Sequence, residues 1–195
     1  MSAAKHGAGS GAANDPTSSP EQRPELTARV LTTRAETRAF YNKISKIYDL
    51  MAEHSEGPIR QKCLRKLAPT AGETLVEIGC GTGHVAASLA QSAGDSGRVY
   101  AVDLSGGMLD QTRRLLASQG LGSRVCLCCA DAEQMPLRDA SVDAVFMSFT
   151  LELFDNPDIP LVLKECKRVL RRGGRLGVAA VTEQLPAKAG RLISD

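Results

Sequence analysis

The stretch Val76-Glu77-Ile78-Gly79-Cys80-Gly81-Thr82-Gly83 decides the fold, because three glycines join an apolar run to a helical pattern. The β-rich run from Thr74 to Ile78 predicts a strand, and the residues from His84 to Ala93 predict a helix. Glycine permits the sharp turn between them and lets a ligand approach the backbone. The helix that follows presents free N–H groups to that ligand. The stretch therefore predicts a strand–loop–helix unit with a ligand site at the loop.

Strand and helix patterns alternate from this unit towards the C-terminus. Further strands are predicted at Arg98–Val102, Arg124–Cys129, Val142–Ser148 and around Gly177–Val181. Helices are predicted at Met108–Ser118 and Ile159–Arg171, the second with Gly173 and Gly174 as its C-cap. Strands separated by such helices predict crossover connections and a parallel sheet with helices on both faces. The fold class is therefore α/β, a doubly wound sheet with five readable parallel strands.

Upstream of the alternation, two further regions are predicted. Residues 1–38, which begin with many Ala, Gly, Ser and Pro residues, show no hydrophobic period and predict a disordered tail. Residues 39–70 predict helices: Phe40, Ile44 and Tyr48 follow helical spacing, and Pro58 is expected to open a second helix. Residues 71–195 then form the core.

Length and charge exclude several classes of protein. The chain has 195 residues with 24 basic and 22 acidic side chains, a net charge of +2. A balance this close to neutral excludes a polybasic nucleic-acid arm or an acidic tail. The sequence has no apolar run long enough to span a membrane. Its start lacks the apolar core of a signal peptide, and acidic residues such as Asp15 argue against a mitochondrial transit peptide. We therefore expect a cytoplasmic protein.

Six cysteines and three histidines are present, but no Cys-x-x-Cys pair. Cys126, Cys128 and Cys129 lie in a predicted strand, where adjacent residues face opposite sides. A metal site built from them is an alternative, but buried free thiols are the favoured interpretation, and no metal is predicted.

Asp103 ends the second predicted strand, 24 residues after Gly79. A carboxylate at that place can accept hydrogen bonds from both ribose hydroxyls of a nucleoside. The glycine spacing is Gly-x-Gly-x-Gly, not the Gly-x-Gly-x-x-Gly of dinucleotide sites. Glu77, two residues before the loop, would repel a pyrophosphate and suits a cationic ligand. S-adenosylmethionine, which carries a sulfonium and an amino group, is therefore the predicted cofactor.

Five motifs in order resemble the class I S-adenosylmethionine-dependent methyltransferases, and within them the ubiquinone/menaquinone-biosynthesis C-methyltransferase type. They are Val-Glu-Ile-Gly-Cys-Gly-Thr-Gly at 76–83, Val-Asp-Leu-Ser-Gly-Gly-Met-Leu at 102–109, Ala-Asp-Ala-Glu-Gln-Met-Pro-Leu at 130–137, Asp-Ala-Val-Phe at 143–146 and Arg-Val-Leu-Arg-Arg-Gly-Gly-Arg-Leu at 168–176. The resemblance implies the strand order 3-2-1-4-5 and a methyltransferase that acts on a small molecule by in-line methyl transfer.

The resemblance also implies a role for each matching residue. Glu77 with the loop residues Gly79, Cys80 and Gly81 would hold the methionine end of the cofactor, Cys80 as a spacer. Asp103 would bind the ribose. Leu104 and Met108 would flank the adenine, and Asp131 would accept its amino group beside Ala132. Ser148 and Phe149 would line the pocket, and Tyr48 would close a helical lid.

Several of these residues have a simpler alternative. Asp103 could be a helix N-cap, and Asp131 could cap the following turn. Met108 and Tyr48 could be packing residues. The fold implies no fixed catalytic residue, so the catalytic group is unknown; Glu152, just beyond the fourth strand, is the candidate general base, with a solvated carboxylate as its alternative.

The sequence departs from the quinone-type subgroup in two places. Where that subgroup has Gly-Leu-Arg-Asn, this chain has Thr-Leu-Glu-Leu at 150–153, which argues against a quinone acceptor. Residues 182–195 are too few for the antiparallel hairpin that completes the family's sheet, so the fifth strand would be an edge that needs a partner. We expect either a fragment of a longer chain or an oligomer, homo- or hetero-, that covers this edge.

The acceptor itself is predicted only by class. Apolar residues around the expected site, Phe149, Leu151, Leu153 and Phe154, favour a small hydrophobic molecule. The basic residues between Lys164 and Arg175 are interpreted as a helix end that complements its dipole, not as a nucleic-acid site. The competing hypothesis is a catalytically inactive cofactor-binding or partner subunit with the same fold.

Overall fold

A computed structural model describes residues 34–44 and 48–180. The elements are α1 (Arg34–Ile44), α2 (Tyr48–Leu67), β1 (Thr74–Ile78), α3 (His84–Ala93), β2 (Arg98–Asp103), α4 (Gly106–Ser118), β3 (Val125–Cys129), β4 (Val142–Ser148), a 3₁₀ turn (Leu151–Leu153), α5 (Ile159–Val169) and β5 (Leu170–Ala179). Helix α1 begins five residues before the boundary predicted at Ala39. The rest of the predicted tail, residues 1–33, and the C-terminal segment 181–195 lie outside the described residues.

The five strands form one parallel sheet in the order β3-β2-β1-β4-β5. The predicted fold class and strand order are thereby confirmed. The order reverses between β1 and β4: the chain runs outward from β1 to β3 and then returns to the other side of β1. Crossover connections put helices on both faces, because a parallel pair cannot be joined by a tight turn.

Successive side chains of each strand point to opposite faces of the sheet, so the core has two layers. Leu75 of β1 packs into the layer with residues of α2 and α3, whereas Val76 and Ile78 pack into the layer with residues of α5. Phe146 of β4 is completely buried in the first layer. Each large apolar side chain buried in this way stabilises the fold by about 1.5–3 kcal/mol. The buried side chain of Glu77 also lies in the sheet, near its carboxyl edge.

Two predicted boundaries were wrong. Pro58 lies inside α2 and does not open a helix, although the missing N–H of proline removes one helical hydrogen bond there. Gly173 and Gly174 belong to β5 and do not cap α5, whose C-cap is Leu170. The strand starts directly after the helix because Leu170 pairs with Val142, followed by a register shift. A Cβ at Gly174 would crowd the Asp143 carbonyl, so the glycine permits the close approach of β4.

The expectation of buried thiols in β3 was also wrong for two cysteines. Cys126 and Cys129 are exposed, and Cys128 is partly buried. The reason is position: β3 is an edge strand, and the connection from β3 to β4 contains no helix that could cover it. Burial raises the pKa of the Cys128 thiol to about 11, with a further contribution from Cys126.

The described residues contain no group of three His, Cys, Asp or Glu side chains placed to hold a metal ion. Among the helices in the same part of the chain, none is long and apolar enough to cross a membrane.

Candidate active site

The site lies at the carboxyl edge of the sheet, where β1 and β4 are neighbours. Strand order reverses at this point, and the loops after the two strands leave the edge in opposite directions. Parallel α/β sheets bind ligands in the crevice that such a reversal creates. The residues that the sequence predicted from the ends of β1, β2 and β4 are brought to this one edge.

The glycine loop is a tight turn bound to the neighbouring strand. The N–H groups of Gly79 and Cys80 both donate to the Val102 carbonyl, at 2.8 and 3.1 Å. Gly79 has a φ of 69°, in the left-handed region that favours glycine. A Cβ at this position would overlap the Thr150 side chain, which arrives from the end of β4. The loop is therefore packed between β2 and β4, with no room for a larger residue at Gly79.

Asp103 is joined to the loop by its carboxylate. Its Oδ2 accepts the Gly81 N–H at 2.9 Å, and its Oδ1 accepts the Ser105 N–H at 2.8 Å. Burial raises the pKa of Asp103, and these backbone donors oppose that effect. The N-cap of α4 is Ser105, whose hydroxyl accepts the Met108 N–H. The alternative that Asp103 caps this helix is therefore excluded, and the carboxylate is directed at the glycine loop.

Glu77 is the buried carboxyl group of the site. Its side chain is 2% exposed, and its Oε2 is buried with no hydrogen-bond partner among the described residues. Burial raises the pKa of Glu77 well above its ordinary value, and the charge of Asp103 adds to the rise. Arg60 of α2 and the Ala86 N–H lower it in part. A buried carboxylate with an unsatisfied oxygen fits a ligand that brings a positive group and N–H donors.

Cys80 lies within the glycine loop. Its thiol is buried and lies 3.8 Å from the Thr112 hydroxyl. Burial raises the pKa of this thiol well above the ordinary value, with further contributions from the charges of Glu77 and Asp103. The group stays protonated and therefore lacks the thiolate that nucleophilic chemistry needs.

The loop after β3 carries Asp131 and Ala132. The Ala130 N–H donates to the Asp103 carbonyl at 3.2 Å, which places this loop beside the end of β2. Asp131 Oδ1 accepts the Glu133 N–H at 3.0 Å, so Asp131 does cap the following turn, as one interpretation of the sequence held. Ala132 and Met108 are buried, and Leu104 is partly buried.

The end of β4 contributes a second unsatisfied polar group. The Ser148 hydroxyl is buried and has no hydrogen-bond partner in the part of the chain that the structure describes. Phe149 follows with a φ of 51°, unusual for a bulky residue, and its N–H donates to the Ala179 carbonyl at 2.7 Å. Backbone strain of this kind costs about 1–3 kcal/mol and is concentrated at functional sites. Glu152 lies in the 3₁₀ turn just beyond and is partly buried.

The N-terminal helices approach the site from outside the sheet. Tyr48 is the first residue of α2, and its side chain lies outside what the structure describes. Helix α1 docks on α4 through Asn42, whose Oδ1 accepts the Ser105 hydroxyl at 2.6 Å and the Gly107 N–H at 2.9 Å. A helix thus covers the residues that follow Asp103.

Sequence reasoning missed four polar residues of this region: Asn42, Ser105, Thr112 and Asp155. Thr112, fully buried, donates its hydroxyl to the Gly81 carbonyl at 2.8 Å. Asp155 follows the 3₁₀ turn, and its Oδ1 is buried without a hydrogen-bond partner within residues 34–44 and 48–180. The serine before Gly106 was a readable N-cap signal. Asn42 and Thr112 act across long sequence separations, and Asp155 Oδ1 has no hydrogen-bond partner among the described residues, so these three left no local pattern.

Comparison with known proteins gives a consistent result. The family model described as "Methyltransferase domain" matches residues 75–174. Demethylmenaquinone methyltransferase from Lactobacillus johnsonii is 31% identical over 160 residues, covering 82% of this chain and 63% of the relative. The protein of the same name from Clavibacter sepedonicus is 37% identical over 142 residues, covering 71% and 55%. The chain thus spans less than two thirds of either relative's length.

Solved structures agree with the fold. The crystal structure of an S-adenosylmethionine-dependent methyltransferase from Aquifex aeolicus matches with a TM-score of 0.63 and 26% identity, over 77% of each chain. The matched family domain, residues 75–174, contains the β1–loop–α3 unit apart from Thr74, and it contains all of β4.

Proposed function

The chain belongs to the family of S-adenosylmethionine-dependent methyltransferase domains, and from this membership we propose that it transfers a methyl group to a small hydrophobic acceptor. The observation that carries the proposal is Glu77, a buried carboxylate with an unsatisfied oxygen beside a glycine loop that Asp103 holds in place. A cation with an amino group satisfies this carboxylate, whereas a phosphate would be repelled by it.

Each predicted contact has a place in this proposal. Glu77 and the backbone of Gly79 and Gly81 hold the amino-acid end of the cofactor, and Asp103 accepts the ribose hydroxyls. The loop at Asp131 and Ala132 binds the adenine, with Leu104 and Met108 on its flanks. Ser148 supports the cofactor from the β4 side, and Tyr48 at the start of α2 completes the lid.

When bound, S-adenosylmethionine supplies a methyl group already activated by the sulfonium. The chain's residues then have to align the acceptor, exclude water and, where the acceptor must lose a proton, remove it. Glu152 and Asp155 are the candidate bases, because both follow β4 at the carboxyl edge of the sheet. The catalytic assignment is tested with Glu152→Gln and Asp155→Asn separately: loss of kcat with unchanged cofactor affinity identifies the base.

The hydrophobic acceptor is supported by the segment after β4. Leu151 and Phe154 are partly buried against the α5 layer, and Leu153 is 36% exposed. These residues form an apolar wall beside the strained Phe149. The relatives named demethylmenaquinone methyltransferase support a hydrophobic acceptor, while Thr-Leu-Glu-Leu at 150–153 argues against a quinone itself.

A nucleic-acid acceptor is disfavoured by the ion pairs of the basic cluster. Arg168 pairs with Glu165 and Asp139, Arg171 with Asp143, and Arg175 with Glu73. Arg171, Arg172 and Arg175 lie in β5, so the cluster is not simply the end of α5, as the sequence analysis had interpreted it. Cations held by carboxylates inside one chain contribute little to phosphate binding.

Calorimetry with S-adenosylhomocysteine and turnover with methyl-labelled S-adenosylmethionine test the function. We expect binding by the full chain and label transfer to a small hydrophobic compound other than a quinol in an acceptor panel. Gly106→Ala serves as the matched control, because Gly106 has open space around it. Binding without any turnover would support the inactive-subunit alternative, and absence of binding would refute the cofactor site.

Two further points complete the proposal. The outer edge of β5, last in the sheet order, is the surface on which we place an oligomeric contact, tested by light scattering of the full chain.

A cytoplasmic location is supported by six cysteines that are all free, which suits a reducing compartment. Cell fractionation tests it.

A further inference from the structure

The connection from β3 to β4, residues 130–141, contains neither helix nor strand. We call its first part, residues 130–137, the adenine loop, because it carries Asp131 and Ala132. Local bonds define its start: besides the Asp131 carboxylate, the Asp131 carbonyl accepts the Gln134 N–H at 3.0 Å. These bonds shape a turn but do not fix its position relative to the sheet.

Glu165 of α5 fixes the other end of this turn. Its side chain is almost completely buried, and Oε1 accepts the Met135 N–H at 2.7 Å. The pKa of Glu165 is lowered, chiefly by its hydrogen bonds to Arg168, so the carboxylate is ionised at neutral pH. A buried charged acceptor forms a stronger bond to a backbone N–H than a neutral one does.

Arg168 completes the attachment with all five of its N–H donors. Nε and Nη2 donate to the two oxygens of Glu165, each at 2.7 Å. The remaining bonds of Nη1 and Nη2 reach the carbonyls of Leu137 at 2.8 Å and Met135 at 3.2 Å, and the Asp139 carboxylate at 2.5 Å. A guanidinium offers five donors in a fixed plane, so every donor here has an acceptor.

The bonds of this pair reach the part of the connection that follows the Asp131 turn, beginning at Met135. Met135, four residues after Asp131, is held at both its N–H and its carbonyl. Met135 and Ala132 are buried in the same layer as Cys166, the residue between Glu165 and Lys167. The turn is therefore fixed by one side-chain pair on one helix face, reached across about thirty residues of sequence.

We propose that Glu165 and Arg168 are positioning residues that set the Asp131 carboxylate for the adenine amino group, and that they thereby determine selectivity for a 6-aminopurine over a 6-oxopurine. This inference rests on the proposed cofactor site. A carboxylate accepts hydrogen bonds from an amino group but is repelled by a carbonyl oxygen, so discrimination depends on where the carboxylate is held.

The test compares S-adenosylhomocysteine with S-inosylhomocysteine by calorimetry, on the full chain and its variants. Arg168→Lys and Glu165→Gln each remove part of the attachment, and Glu165→Gln keeps the shape of the side chain. We expect affinity for the adenine ligand to fall about tenfold, affinity for the inosine ligand to change little, and the ratio of the two to shrink accordingly. In turnover, KM for the cofactor rises while kcat is retained.

Glu73→Gln is the matched control. Glu73 also pairs with an arginine, Arg175 of β5, through two bonds of 2.8 Å, but these bonds involve no residue of the adenine loop. Its substitution should lower the melting temperature and leave the ligand ratio unchanged.

If Glu165→Gln weakens binding of both ligands equally, so that the ratio of the two affinities stays at the wild-type value, the inference is overturned. Glu165 and Arg168 then have a purely structural role. Failure of the wild-type chain to bind either ligand would instead refute the cofactor site on which the inference rests. Should Arg168→Lys not fold, Glu165→Gln alone decides between these outcomes.

Discussion

The Gly81 N–H donates a hydrogen bond to Asp103 Oδ2 across 2.9 Å, and this bond ties the glycine loop to the end of the neighbouring strand. The carboxylate proposed for the ribose therefore also shapes the loop that receives the amino-acid end of the cofactor. The proposed ribose contact and the shape of the glycine loop look independent in the sequence, but both depend on the Asp103 side chain.

Asp103→Ala should weaken cofactor binding more than loss of the ribose contact alone. It removes the acceptor of the Gly81 and Ser105 N–H groups as well. A hydrogen bond to a charged group contributes about 1.5–3 kcal/mol, so we expect an affinity loss of roughly ten- to a hundredfold or more by calorimetry. Asp110→Ala, which removes an exposed carboxylate of α4, is the control. A loss no larger in Asp103→Ala than in the control would contradict the assignment.

Glu77 should make the stability of the ligand-free chain fall as pH rises. Its pKa in the folded chain lies well above the ordinary 4.5, so the folded state keeps a proton that the unfolded state has lost. Above pH 4.5 the free energy of unfolding therefore decreases until the folded-state pKa is passed. Thermal melts between pH 5 and 9, taken with the wild type and Glu77→Gln, measure this slope; the variant should be flatter.

Affinity for S-adenosylmethionine should show the opposite trend. The ionised carboxylate is the form that binds a cation, so binding favours loss of the Glu77 proton and strengthens with rising pH through the same window. Calorimetry in buffers of different ionisation enthalpy detects the released proton. If Glu77→Gln releases the same proton, another group is responsible.

Gly79→Ala should abolish binding and destabilise the fold. The new methyl group would overlap Thr150, and the φ of 69° is strained for alanine. We expect a loss of about 1–3 kcal/mol in stability from the overlap and strain together. Gly106→Ala, where no atom lies close to the added Cβ, should melt like the wild type. Equal melting temperatures for the two variants would show that the loop can relax.

Asn42→Ala should release α1 from α4. The Asn42 side-chain oxygen is the shared acceptor of the Ser105 hydroxyl and the Gly107 N–H. Hydrogen exchange of the amides in Arg34–Ile44 should speed up several-fold, which corresponds to roughly 1 kcal/mol. Lys43→Ala, an exposed change on the same helix, should leave exchange unaltered. Asn42→Asp retains an acceptor and should be intermediate.

The sequence predicted those elements whose signals are local. β1, α3 and β4 have the predicted bounds, because an apolar run or a helical period is interrupted there by glycine or polar residues. The boundary between α5 and β5 was missed, since the pair Gly173-Gly174 has the composition of a helix cap and only pairing with β4 assigns it to a strand.

For the site, sequence reasoning placed Glu77, Asp103 and Ser148 at one edge of the sheet. It could not predict the hydrogen bonds between Asn42 and Ser105 or between Arg168 and Met135. These bonds join residues 63 and 33 positions apart, and they depend on how whole elements pack. The exposure of Cys126 was unpredictable for a similar reason: a strand pattern does not tell whether the strand is at the edge of the sheet.

The reversal of strand order between β1 and β4 also has a consequence for the lifetime of the chain. A ligand seated there touches segments that are distant in sequence, so it binds the folded form and not the unfolded one. Such a ligand stabilises by about 2.7 kcal/mol when its concentration is a hundred times its dissociation constant. A ligand at this edge therefore also makes the chain more resistant to proteolysis that proceeds through the unfolded state.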